Sequence, residues 1–334
     1  MRAALPICVA GLAAFARAQY EIRPADFSTW FNITEFPNAQ SENVSYWQAE
    51  AYKTAGWDLY YWYQSRCLIQ QKYPALASLA DGFIAPARAF DSVYFLGHAY
   101  VSSWAIDTGD GLILIDALQN PEEAQRIIIP GLAAFGFSGS DIKALIITHE
   151  HFDHYGGALY LQSTFGTRVY ATEEAWRTMA NVRGTPSKDD VLEDGGIVQV
   201  GNTSIIIAKT PGHTPGTASF IFPVKDRGVA YTAGLWGGLG LPGSAEAMSQ
   251  QIESYRKFRS IAERHGVDVL MGNHQTHDLS AQNLDLLRYR TCDENECSIQ
   301  NPYIVTTEKY SRFTRVMEMC VRIAAARRGY NLRV

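Results

Sequence analysis

Beyond its first residues the chain has no stretch of about 20 consecutive apolar residues, so no segment of its body is long enough to span a bilayer as a helix. It has no basic stripe. Lys and Arg number 29 against 34 Asp and Glu, for a net charge of -5, whereas nucleic acid needs clustered cations to neutralise phosphates. The one Arg-rich piece, Arg322 to Arg328, falls near the end of a predicted helix, where cations complement its dipole. Cysteine is scarce, five residues in 334, with no Cys-x-x-Cys and no Cys/His cluster, which argues against a thiolate zinc site. There is no Ser-His-Asp arrangement, no phosphate-cradling Gly-rich loop with a Lys, no repeat and no low-complexity tract.

What is present first suggests export. Arg2 precedes an apolar run from Ala3 to Phe15 and a small-x-small site at Ala16-Arg17-Ala18, so residues 1–18 read as a signal peptide. Asn32, Asn43 and Asn202 each open a glycosylation triplet. Signal removal leaves Cys67, Cys292, Cys297 and Cys320, which allow three pairings. The favoured pairing is Cys292 with Cys297, closing a small polar loop, and Cys67 with Cys320. Four reduced, buried thiols are the alternative. The expected destination is extracellular, with no membrane association after signal removal and no nucleic-acid partner.

Residues 19–90 read as an aromatic-rich helical extension, with a helix over Ser45 to Gln71 and aromatics serving as core or as a substrate wall. Residues 91–290 change character. Strands are expected at Val93–Leu96, Tyr100–Ile106, Leu112–Ile115 and Ala144–Ile147, with helices over Pro121–Phe135 and Gly157–Phe165. A second series follows, with strands at Gly196–Val200, Ser204–Ala208, Ala218–Phe222 and Val229–Thr232. A helix from Ala245 to His265 leads to a strand at Val267–Met271. Two β-then-α halves suit an α/β sheet sandwich with helices outside. Residues 291–334 hold the small disulfide loop and a helix over Thr306–Arg328. Its Phe313, Val316, Met317, Cys320, Val321 and Ala324 share one face, the mark of a docked helix.

The densest chemistry lies in Thr148-His149-Glu150-His151-Phe152-Asp153-His154, directly after the buried strand. Imidazole and carboxylate are the ligands zinc takes where no thiolate is offered. Four ligands on one loop can begin two sites but complete neither. His213, in the rigid turn Pro211-Gly212-His213-Thr214-Pro215-Gly216, and His274, after the last strand, supply the remainder. Either alone would more often be a structural histidine. Glu150 points away from its neighbours in an extended loop and reads as supporting or solvated. His277 could exchange with His274 as ligand, and His98 could touch substrate or lie on the surface.

These motifs, in this order and spacing, resemble the metallo-β-lactamase superfamily over roughly Asp91 to Asp278. The resemblance implies a four-layer αβ/βα sandwich, here with N-terminal and C-terminal helical extensions. It implies one zinc on His149, His151 and His213, a second on Asp153, His154 and His274, and Asp116 bracing the histidine loop. Gly234 stands where the wider superfamily places a metal-bridging aspartate. The likeness is therefore nearest to the metallo-β-lactamase subclass that binds both zincs with His and Asp alone. That subclass would place a serine where Gly234 stands, and one fewer negative charge would weaken the second zinc.

Two zincs with open positions imply a hydrolase of a small-molecule substrate. Zinc lowers the pKa of a bound water to about 7, giving hydroxide at neutral pH. Asp153 is the candidate for orienting the nucleophile and passing on its proton, with Trp236 and Gly234 as candidate substrate contacts. The expected substrate is an amide or lactam, as in a β-lactam. A lactone or ester hydrolase with the same metals is the alternative, and a metal-retaining binding protein a further one.

Overall fold

In the computed structural model, residues 34–74, 82–180 and 182–334 are described. The expected export signal and Asn32 lie outside them. Strands β1 (Ala87–Phe90), β2 (Val93–Phe95), β3 (Trp104–Asp107), β4 (Leu112–Ile115), β5 (Ile142–Ile146), β6 (Arg168–Ala171) and β7 (Asp190–Val191) form one sheet in sequence order. The second sheet has the order β12-β11-β10-β9-β8. Its strands are β8 (Ile197–Val200), β9 (Thr203–Lys209), β10 (Ala218–Asp226), β11 (Val229–Trp236) and β12 (Val269–Gly272).

Side chains alternate across a strand, so one strand feeds two layers. In β4, Ile113 and Ile115 face the space between the sheets, while Leu112 and Leu114 face the helices outside. Those helices are Ala158–Phe165, Glu173–Met179 and the segment beginning at Pro121, whose middle widens to a π-helix over Ala124–Ile128. Pro130 follows that widening, and its missing N–H leaves a carbonyl one turn back without its usual partner. Outside the second sheet lie the helices Ala245–Arg264 and Thr307–Arg327, with the N-terminal helices on the far side of the latter. The architecture is the αβ/βα sandwich with helical extensions.

The long helix expected over Ser45 to Gln71 is two. The first, Ser41–Ala55, stops at Gly56, whose φ of 57° lies in the left-handed region. The second covers residues 60–72, with a π-helical stretch over Tyr63–Ile69. Its aromatics divide. Trp62 and Tyr63 are buried against the C-terminal helix, whereas Trp57 is 91% exposed. The strand expected from Tyr100 begins only at Trp104, because residues 99–103 loop toward the site. Strands β10 and β11 run four residues further than expected, closing on a tight Arg227-Gly228 turn.

All six residues expected on the buried face of the C-terminal helix are buried. Cys67 is bonded to Cys320, tying the second helical segment to that helix, and Cys292 to Cys297. The first closes 253 residues of chain and the second only five. By loop-closure entropy, replacing both Cys67 and Cys320 with Ser is expected to cost about 5 kcal/mol, against about 2 for the Cys292/Cys297 pair. Urea unfolding of the two double variants measures the difference.

Candidate metal centre

All six expected ligands meet where strands of the two sheets end. His149 and His151 follow β5, and a short helical turn, Phe152–Tyr155, carries Asp153 and His154 inward. His213 comes from the loop between β9 and β10, and His274 from the end of β12. His149 Nε2 and His213 Nε2 each lie 3.1 Å from His151 Nδ1. His154 Nε2 lies 3.1 Å from His274 Nε2 and 3.4 Å from Asp153 Oδ2, which is 3.6 Å from His274 Nε2. Two triads result, His149/His151/His213 and Asp153/His154/His274.

Hydrogen bonds at the opposite ring nitrogens fix which lone pairs are free. His213 Nδ1 donates to the Gly240 carbonyl, His274 Nδ1 to the Tyr100 carbonyl, and His154 Nδ1 to Asp116 at 2.6 Å. The Thr148 hydroxyl donates to Asp116 Oδ2 and accepts from Asn273 and from His149 Nδ1, which exhausts its capacity. The free imidazole nitrogens therefore converge on two points. Lone pairs so arranged repel unless a cation lies among them, and the spacings suit Zn–N bonds of about 2.0–2.1 Å. The donor set fits two divalent ions.

Burial pushes both His213 and His274 down to about 3 and His149 well below its ordinary value, so these rings are neutral and open to a metal even in mild acid. His154 differs. Burial opposes its charge, but Asp116 and Asp153 outweigh burial and push it up to about 9. Without metal, its charged form therefore adds stability that is complete below about 6.5 and lost as the pH rises through about 9. At pH 7, filling the second triad is therefore expected to release about one proton more than filling the first, the one that His154 gives up. Calorimetric titration in two buffers of different ionisation enthalpy counts them. Asp153, despite its burial, is held below the usual carboxylate range by His154 and His274.

Asp116 anchors the centre. It accepts from the Thr148 N–H at 2.7 Å, the Thr148 hydroxyl at 2.8 Å and His154, and it is fully buried. Its φ of 60° is rare for a residue with a side chain, a strain typical of functional sites. Glu150 is not solvated. Its carboxylate accepts from the Thr214 hydroxyl at 2.7 Å and the Gly216 N–H at 3.0 Å, clamping the His213 loop to the His149 loop.

Three expected contacts lie elsewhere. Because β11 runs to Trp236, Gly234 sits inside the strand, and a Cβ on it would meet the Tyr310 hydroxyl at 2.4 Å, on the face away from the ligands. Trp236 is buried, stacked on Tyr255 at 4.0 Å. The turn that reaches the centre is Gly237 to Gly240. It offers no ligand side chain, and a Cβ at Gly240 would collide with the His213 ring at 2.2 Å. His98 is buried below the site, where its Nδ1 accepts from the Tyr100 N–H and its Nε2 faces Gln119 and Glu123. It holds Tyr100 and Gln119, which do border the cavity. His277 borders the cavity too, but its ring stands behind His274 at 4.9 Å, outside both triads.

The cavity over the triads has a volume of about 780 Å³. Its walls include Tyr100, Gln119, Phe152, Arg66 and Gln70. Apart from Phe152, which lies within the histidine loop, sequence spacing offered no signal for these, since they come from other loops or from the helical extension.

Paired His/Asp triads at the strand ends of an αβ/βα sandwich define a class of metal-binding α/β proteins. Residues 96–232 match the metallo-beta-lactamase superfamily, and this part of the chain is a domain of that superfamily. A hydroxyacylglutathione hydrolase of Mesorhizobium japonicum is 34% identical over 149 residues, covering 44% of this chain and 52% of that protein. Another, of Bdellovibrio bacteriovorus, is 26% identical over 192 residues, covering 57% and 64%. The chain thus spans little more than half the length of these curated relatives. Among solved structures, the native FEZ-1 metallo-beta-lactamase from Legionella gormanii superposes with a TM-score of 0.60. It is 25% identical, over 71% of this chain and 94% of that one. BJP-1 of Bradyrhizobium japonicum, a subclass B3 metallo-beta-lactamase, gives a TM-score of 0.56 at 25% identity, over 71% and 92%.

Proposed function

We propose that the protein is an exported zinc-dependent hydrolase that opens the carbonyl of an amide or lactam. The observation that carries the reading is the pair of complete His/Asp triads, with no ligand side chain on the Gly237–Gly240 turn beside them. Zinc bound there would supply Lewis acidity, polarising a carbonyl and lowering the pKa of water to about 7. The chain's own residues do the rest. Asp153 faces the cavity and can take and pass on a proton at its carboxylate, while Asp116, Glu150 and Gly240 hold the imidazoles rigid. Tyr100 and Phe152 give the substrate an apolar wall.

Export is supported by the two disulfides, which persist in oxidising compartments. The exposure of Asn43 and of Asn202, in the turn between β8 and β9, suits glycosylation. No helix among the described residues is long and apolar enough to cross a membrane. The acidic charge balance is the basis for expecting no nucleic-acid partner.

A second reading, hydrolysis of an ester, lactone or thioester, is favoured by the relatives named hydroxyacylglutathione hydrolase. Initial rates of the zinc-loaded protein on a chromogenic cephalosporin and on a glutathione thioester, with and without chelator, separate the two. A chelator-sensitive rate on the cephalosporin supports the lactam reading. A rate on the thioester alone replaces it, and no rate on any carbonyl compound in zinc-loaded protein refutes both.

A further inference from the structure

One wall of the cavity does not come from the sandwich. It is the π-helical stretch Tyr63–Ile69 and the turn after it, held in place by the Cys67–Cys320 bond and by the Trp62 indole, which donates to the His277 carbonyl. Polar groups on this side are left with hydrogen-bonding capacity unused among the described residues. Arg66 is only 6% exposed and borders the cavity. Among the described residues its guanidinium makes one hydrogen bond, from Nη2 to the Leu239 carbonyl, and no carboxylate pairs with it. Burial lowers its pKa to about 10, which still leaves it charged at neutral pH. Beside it, Gln70 Oε1 and His277 Nδ1 are buried with no partner among the described residues, and both residues border the same cavity.

An unpaired buried cation is costly, and folds retain one where a partner arrives from outside. A guanidinium matches a carboxylate in both geometry and charge. We propose that Arg66 seats a carboxylate of the substrate, with Gln70 and His277 taking neighbouring polar groups, so that the hydrolysed molecule is an anionic acyl compound and not a neutral one. This rests on the reading of the cavity as the substrate site. The helical extension then determines specificity, while the sandwich supplies the metal ligands.

The test is calorimetric binding of N-benzoylphenylalanine and of its primary amide to the zinc-loaded full chain, with both compounds verified intact afterwards. The acid is expected to bind about 10- to 100-fold more tightly than the amide, the worth of one charge-assisted hydrogen-bonded pair. Arg66→Gln keeps a donor for the Leu239 carbonyl and removes the charge. It is expected to bring the two compounds within about threefold of each other, whereas Arg66→Lys retains part of the preference. If Arg66 merely braced the Leu239 turn, Gln would preserve the preference. An acid preference that survives in Arg66→Gln would place the carboxylate on the metals and overturn the proposal. So would no preference in the wild-type chain, including no binding of either compound. The binding comparison needs no turnover. Acid preference with no chelator-sensitive rate on the cephalosporin or the thioester would refute the hydrolase reading and spare Arg66, and such a rate without acid preference would do the reverse.

Discussion

His149→Ala is expected to abolish turnover, with a loss of at least about a thousandfold, the scale of several kcal/mol of metal-derived transition-state stabilisation. His149 is buried, its Nε2 belongs to the first triad, and its Nδ1 is tied through Thr148 to Asp116. His277→Ala, by contrast, is expected to leave metal content and kcat within about threefold and to raise KM instead, because its ring stands outside both triads but borders the substrate cavity. Steady-state rates paired with metal content by atomic emission test the ranking. If His277→Ala were the damaging change and His274→Ala the mild one, the second triad would have to be redrawn around His277.

Asp116→Ala should separate the two triads. Asp116 touches one ligand directly, His154, and reaches His149 only through Thr148. Losing an outer partner of a metal-bound histidine costs about 10- to 100-fold in metal affinity. The second ion is therefore expected to bind that much more weakly, and the first within a few-fold, as read by competition with a chromophoric chelator. The same change leaves the buried Thr148 N–H without an acceptor, at about 1–3 kcal/mol of stability. Asp116→Asn keeps that acceptor and tolerates the positive φ, so it should recover most of the stability but less of the second-site affinity. Equal weakening of both sites by Asp116→Ala would mean that the two triads respond as one unit.

The ligands were legible because the loop after β5 concentrates four of them in six residues, and because His213 and His274 each follow a strand signature. The sheets were legible where strands are buried on both faces, as in β4 and β5. Strand ends were not. Val229-Ala230-Tyr231-Thr232 is largely exposed, while the buried half of β11 continues through Ala233 to Trp236, where small residues blur the pattern. That four-residue difference moved Gly234 from the site into the strand. β6 and β7 escaped detection because they are short, β7 ending the sheet and β6 lying next to it, with charged residues among them. Arg66 could not be found from spacing, because its proximity to the metals is a product of tertiary packing alone. The break at Gly56 was readable in principle, since glycine in an otherwise helical run favours a stop.

The bond between Cys67 and Cys320 also sets an order of events during synthesis. A ribosome adding about 5–20 residues per second makes Cys320 roughly 13–50 s after Cys67, across 253 residues. The strands and loops that carry the six ligands all emerge in that interval, so the metal centre can assemble while one wall of its cavity is still unfastened. The selective wall of the cavity is thus fastened last, after every metal ligand has been made.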